Sequence, residues 1–147
     1  MVIARVTRAH WEDGKLHLTG YAYVRNLPPG RLQARGKALW LRAGRHRVVP
    51  LKVRPVRSRE ATYSSRQALH RYDRAGFTTV VDPARLSTGR PSTTWKLEMA
   101  AVGGLLPRTG PVRMAGLDGL PVHYLGEFRR VGATLSAGRL RLRAENV

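Results

Sequence analysis

The chain has 147 residues, no cysteine, and 27 Lys+Arg against 9 Asp+Glu, a formal net charge of +18. The lack of thiols excludes disulfide frameworks, thiolate zinc sites, iron–sulfur clusters and cysteine nucleophiles, and the length is that of one domain able to bury a core without such staples. A composition of 42% hydrophobic and 24% charged residues is globular rather than disordered, and the charge implies attraction to a polyanion: nucleic acid, anionic lipid or a phosphorylated polymer.

The first segment, Val2–Trp11, alternates with a period of two. Arg5 and Arg8 stand where a secretory signal would need an apolar stretch, so none is expected. Asp13-Gly14 follows, then Leu16-His17-Leu18. Asp-Gly between alternating runs predicts a type I′ hairpin turn, because that turn needs positive φ at both central residues. The register then sets Trp11 against Leu16, Glu12 against Lys15 and His10 against His17. Two imidazoles without a third ligand read as solvated strand residues rather than a metal site.

A second hairpin is expected around Ala43-Gly44-Arg45, joining Lys37–Arg42 to Arg47–Val53, with a two- or three-residue loop. Ser64–Arg74 could hold a helical turn or two. Phe77–Val81, Thr94–Val102, Val112–Ala115 and Pro121–Phe128 are rich in β-branched or aromatic residues. Ala137-Gly138 predicts a last two-residue turn, with Leu135 facing Leu140 and Thr134 facing Arg141. The longest apolar run, Met99–Pro107, is nine residues; a membrane-spanning helix needs about 20, so none is expected. The expectation is one soluble all-β domain over residues 1–147. It would be an antiparallel β-sandwich, immunoglobulin-like or jelly-roll-like, with about nine or ten short strands and little helix.

Catalytic motifs do not assemble. Gly30–Ala38 resembles a phosphate-binding loop but has five residues between its glycines and Ala38 where Ser or Thr is needed. HExxH, a dinucleotide glycine fingerprint, GxSxG and a DxD-type acidic pair are all missing. The reading is therefore of a chain without catalytic residue, metal or cofactor. The basic surface is the stronger signal: from Gly14 to Arg59 there are twelve Lys or Arg and no acid. Within it Val49, Leu51 and Val53 alternate with Lys52 and Arg54, giving one core face and one cationic face. Arg139, Arg141 and Arg143 form a similar ladder, about 6.6 Å between neighbours. By parity Trp95 is core with Leu97 and Met99, and Trp11 is core beside Leu16. Leu39 and Leu41 leave Trp40 on the face of Arg42, placed to stack on a sugar ring or a base. The candidate ligand-binding residues are Trp40, Arg42, Arg45, Arg47, Lys52, Arg54 and Arg57, with arginine suited to phosphate oxygens.

The WxDGxLxL hairpin, then Leu18–Leu27 (LTGYAYVRNL), then Tyr72–Asp82 (YDRAGFTTVVD), then Thr94–Met99 (TWKLEM) with Arg108 downstream, resembles the β-sandwich accessory region of actinobacterial family 2 glycosyltransferases. Such regions are often fused to CDP-glycerol glycerophosphotransferase-like modules of teichoic-acid type. The resemblance implies an accessory module, excised from a larger protein, that binds an anionic cell-wall polymer or glycan or mediates assembly. It implies as partners that polymer, the catalytic domain of the parent chain and a possible second copy of the chain. It also implies a cytoplasmic location, peripheral to the inner membrane face through the parent protein. It supplies no catalytic residue. Two other classes fit the same residues: a nucleic-acid-binding β domain, with Trp40 and Tyr21 or Tyr23 as exposed aromatics, and a structural domain that oligomerises or spaces its neighbours.

Overall fold

The Asp-Gly and Ala-Gly turns form as their chemistry demands. Asp13 and Gly14 have φ of 52° and 72°, and Ala137 and Gly138 have 52° and 75°. They join β1 (Val2–Glu12) to β2 (Lys15–Val24), and β11 (Arg129–Ser136) to β12 (Arg139–Asn146). The registers are those expected, including His10 with His17, Trp11 with Leu16, and Leu135 with Leu140. The third hairpin joins β3 (Lys37–Ala43) to β4 (Arg47–Leu51) through a three-residue loop, because Ala43 pairs with Arg47. These are elements of a computed structural model that describes residues 2–24, 37–56, 76–103, 106–117 and 120–147. The stretch Ser64–Arg74, where a helical turn was expected, lies outside the described residues.

The remaining strands are β5 (Arg54–Val56), β6 (Gly76–Val81), β7 (Ser92–Gly103), β8 (Leu106–Pro111), β9 (Arg113–Met114) and β10 (His123–Leu125). Helical backbone among the described residues is a single 3-10 turn, Pro83–Leu86. The protein is all-β. Its strands form one hydrogen-bonded mixed sheet in the order β4–β3–β7–β12–β9–β1–β2–β6–β5, with β8 on β7, and β11 and β10 extending from β12. The expected pair of stacked antiparallel sheets thus takes the form of one curled sheet around a continuous core.

Two broken strands account for the curl and for twelve strands among the described residues where about nine or ten were expected. β8 and β9 are halves of one run, interrupted at Val112. β7 and β12 pair from Ser92 to Lys96 and then part. Val112 fills the fork: its N–H donates to Leu97 O (3.1 Å) and its carbonyl accepts from Leu140 N (2.9 Å). β9 then lies parallel to β1, with Arg5 opposite Arg113, the one parallel pairing among the described residues. Here β1 carries a bulge between Val6 and Arg8, facing Gly20. A Cβ at Gly20 would sit 2.1 Å from the Arg5 carbonyl oxygen, so only glycine admits this close approach.

β4 and β5 are the other broken strand. β4 pairs with β3 at one end of the sheet order, and β5 pairs with β6 at the other. Only Lys52 and Val53 separate them, so this segment crosses from one end of the sheet to the other and closes it. Thr79 Oγ1 on β6 donates to Lys52 O (2.6 Å), tying down the crossing. Inward residues fill the core: Leu16, Leu18, Leu39, Leu41, Phe77, Val81, Trp95, Leu97, Met99, Leu140 and Leu142 are all buried. Fully burying each such side chain contributes roughly 1.5–3 kcal/mol against leaving it exposed. Trp95 Nε1 donates to Leu86 O (3.2 Å), which seats the 3-10 turn over this core. Trp11 is half-buried at the core's margin, stacked on His123 with centroids 4.7 Å apart.

Candidate functional site

The closing seam is where β2, β6 and the β4–β5 crossing meet, and it forms a groove of about 460 Å³. Each wall follows from strand parity. On β2, Leu16 and Leu18 face the core, so Lys15 and His17 face out; on β6, Phe77, Thr79 and Val81 turn in and leave Thr78 and Val80 beside them. On the crossing, Val49 turns in while Pro50, Lys52 and Arg54 are exposed. The 3-10 turn adds Arg85. The groove therefore gathers Lys15, Lys52, Arg54 and Arg85, with His17 beside them. Its carboxylate is Asp82, whose Oδ1 accepts from Ala84 N (3.1 Å) to cap the turn. Among the described residues, none of these four cations is in an ion pair.

The other predicted ligand residues are dispersed. Arg42 is half-buried and its Nε contacts Glu98 Oε1 at 2.7 Å, so its charge is largely answered. Arg45 and Arg47 are exposed and line a separate cavity of about 310 Å³ with His46 and Arg90. Arg47 Nη1 there donates to Thr88 O (3.3 Å). Trp40 is half-buried on the outer face, in register with Pro50 on one side and Glu98 on the other. Pro50 also lines the seam groove, so Trp40 stands one strand away from it. Arg57 lies outside the described residues. Linear clustering from Arg42 to Arg59 thus overstated how many of these cations share a site. Lys15, His17 and Arg85 were missed, although pairing His17 with β6 brings all three beside Lys52.

The Arg139–Arg143 ladder is partly neutralised. Arg143 Nε lies 3.3 Å from Glu145 Oε2, and Arg130 Nε lies 2.8 Å from Glu145 Oε1. The hydrogen bond from Arg130 to Glu145, with their Coulomb attraction, raises the guanidinium pKa further above its ordinary value. Arg141 Nε is buried and makes no hydrogen bond. The aromatics depart from expectation. Tyr21 and Tyr23 are both 2% exposed, stacked on one another and packed with Ile3, so neither offers a face to a base. Tyr124 and Phe128, at the β10–β11 hairpin, are exposed instead.

One group among the described residues has metal-ligand character: His10, Glu12 and His17, whose ligand atoms all lie within 4.8 Å of one another. Glu12 does not turn to Lys15, its partner across the turn. Its Oε2 lies 3.3 Å from His10 Nε2. No protein-family model and no curated protein matches the chain.

Proposed function

We propose that this chain is a non-catalytic β module that holds an anionic polymer along the seam groove. A phosphodiester-linked glycopolymer is its ligand class. The observation that carries this reading is the set of four cations, Lys15, Lys52, Arg54 and Arg85, in one groove and without ion-pair partners among the described residues. Cations left free of carboxylates can exchange their counterions for phosphate oxygens, whereas paired ones must first give up a partner. Trp40, next to Pro50 at the groove's edge, supplies an aromatic surface for a sugar ring. The likeness to glycosyltransferase accessory regions supports the same ligand class, with catalysis residing elsewhere in a parent protein on the cytoplasmic side.

A second reading, single-stranded nucleic acid, is favoured by one observation. Tyr124 and Phe128 stand exposed near Arg129 and Arg130, a pairing of stacking faces and cations suited to bases. One titration separates the two. Wild type, Lys52→Ala/Arg54→Ala, Trp40→Ala and Phe128→Ala are titrated at one salt concentration with a glycosylated poly(glycerol phosphate) and with single-stranded DNA. The seam variant is expected to weaken the phosphopolymer about 10- to 100-fold and to flatten its salt dependence. Trp40→Ala is expected to weaken it about tenfold, taking aromatic stacking as the guide. Unchanged phosphopolymer affinity in the seam variant would sink the proposal. Tighter DNA binding that is lost in Phe128→Ala would replace it with the second reading.

A further inference from the structure

We propose that His10, Glu12 and His17 form a binding site for one divalent transition-metal ion of the zinc type, at the end of the β1–β2 hairpin. The backbone is built to hold these side chains together. A two-residue turn with both φ positive fixes the register, and that register sets His10 opposite His17. Glu12 is two residues along β1 from His10, hence on the same face. The imidazoles stack with centroids 5.1 Å apart and planes 16° from parallel.

The donor set is that of a zinc-type site. Two imidazole nitrogens and one carboxylate oxygen suit Zn²⁺, with a fourth position left to solvent or a ligand. A tetrahedral centre with bonds of about 2.0–2.1 Å sets its ligand atoms about 3.3 Å apart. His10 Nε2 and Glu12 Oε2 are already 3.3 Å apart. All ligand atoms begin within 4.8 Å of one another, and the half-exposed His17 side chain is the one that has to move to complete the site. His10 Nδ1 is buried and makes no hydrogen bond, so no hydrogen bond of that atom has to break for the ring to adjust. The contact between His10 and Glu12 engages two of the three side chains; a metal ion uses all three. His17 also lines the seam groove, so the fourth position opens beside it. The site itself does not depend on what the groove binds.

The test uses the whole chain and Zn²⁺ alone, by isothermal titration calorimetry with imidazole NMR as the structural readout. One equivalent is expected to bind, with the His10 and His17 ring resonances shifting together. His10→Ala and His17→Ala are each expected to weaken binding by at least about 100-fold. Glu12→Gln, which keeps the shape and removes the charge, is expected to weaken it about tenfold. His46→Ala, in the β3–β4 loop, is expected to leave affinity unchanged. Circular dichroism of each variant verifies that the sheet is intact. Zn²⁺ affinity equal in wild type and His10→Ala/His17→Ala, or His10 and His17 resonances unmoved at saturation, would overturn the proposal.

Discussion

The seam groove and the outer face of β3, β7, β11 and β12 both gather cations and treat them differently. On the outer face, register places a carboxylate among the guanidiniums. Arg42 meets Glu98, and Arg130 and Arg143 share Glu145. In the groove the cations come from three separate stretches of chain, and the carboxylate among them caps a turn. A net charge of +18 is thus distributed into answered and unanswered parts. Position in the sequence alone does not decide which part a cation joins. Arg42 and Arg130 reach carboxylates on neighbouring strands, and Arg143 reaches one on its own strand. Lys15 has no ion pair among the described residues although Glu12 faces it across the turn.

Lys37 sharpens the contrast as a third kind of cation, on the inner side of β3 with Leu39 and Leu41. Burial holds its ammonium down to a pKa of about 8 from the ordinary 10.5. The unfolded chain therefore binds more protons than the folded one between these values. Stability should be lowest below about pH 8, where the charged ammonium must be kept half-buried, and should rise toward about pH 10.5. The expected gain across that window is about 2 kcal/mol, since partial solvent contact softens the full displacement. Lys37→Met should remove this rise and be the more stable protein near neutral pH. Urea denaturation of both proteins across the window measures it, and parallel pH profiles would refute the assignment.

The hairpins were readable in the sequence because their turns depend on two residues each. Asp13-Gly14 and Ala137-Gly138 demand positive φ, and the pairings along β11–β12 and along β1–β2 as far as the bulge at Val6–Arg8 follow from that local fact. The closure was not readable. Arg47–Val56 alternates like a single strand, and its exchange of β3 for β6 at Lys52–Val53 depends on contacts far away in sequence. The site divides in the same way. Lys52 and Arg54 were recognisable from parity on one strand, whereas Lys15 and Arg85 join them only once β2 and β6 are paired. Glu12 was assigned to Lys15 by the rule for facing charges; its neighbour on its own strand, His10, proved the closer partner.

Thr79 tests whether the groove depends on the crossing being held. Its hydroxyl bonds Lys52 O at 2.6 Å and its side chain is 2% exposed, making it the buried polar residue at the seam. Thr79→Val keeps the shape and leaves the Lys52 carbonyl without this donor, at an expected cost of about 1–1.5 kcal/mol by chemical denaturation. Phosphopolymer affinity should fall with it, because the same carbonyl fixes where Lys52 and Arg54 stand. Loss of stability with undiminished affinity would show that the groove's cations act as loose charges rather than as a shaped site.

The smallest expected effect probes the answered half of the comparison. Arg42 and Glu98 are each partly solvated, at 40% and 32% side-chain exposure, so their pair contributes no more than about 1 kcal/mol to stability. Its larger consequence is for binding, since Glu98 occupies the guanidinium next to Trp40. Glu98→Gln should free that guanidinium and raise phosphopolymer affinity about two- to threefold at low salt, the scale of one additional exposed phosphate contact. Arg42→Ala should change little in the wild-type background and should cancel the gain in the Glu98→Gln background. The four titrations form a cycle in which non-additivity is the result sought. If Arg42→Ala weakens binding equally in both backgrounds, then Glu98 does not mask Arg42, and the outer face joins the seam as part of one continuous cationic surface.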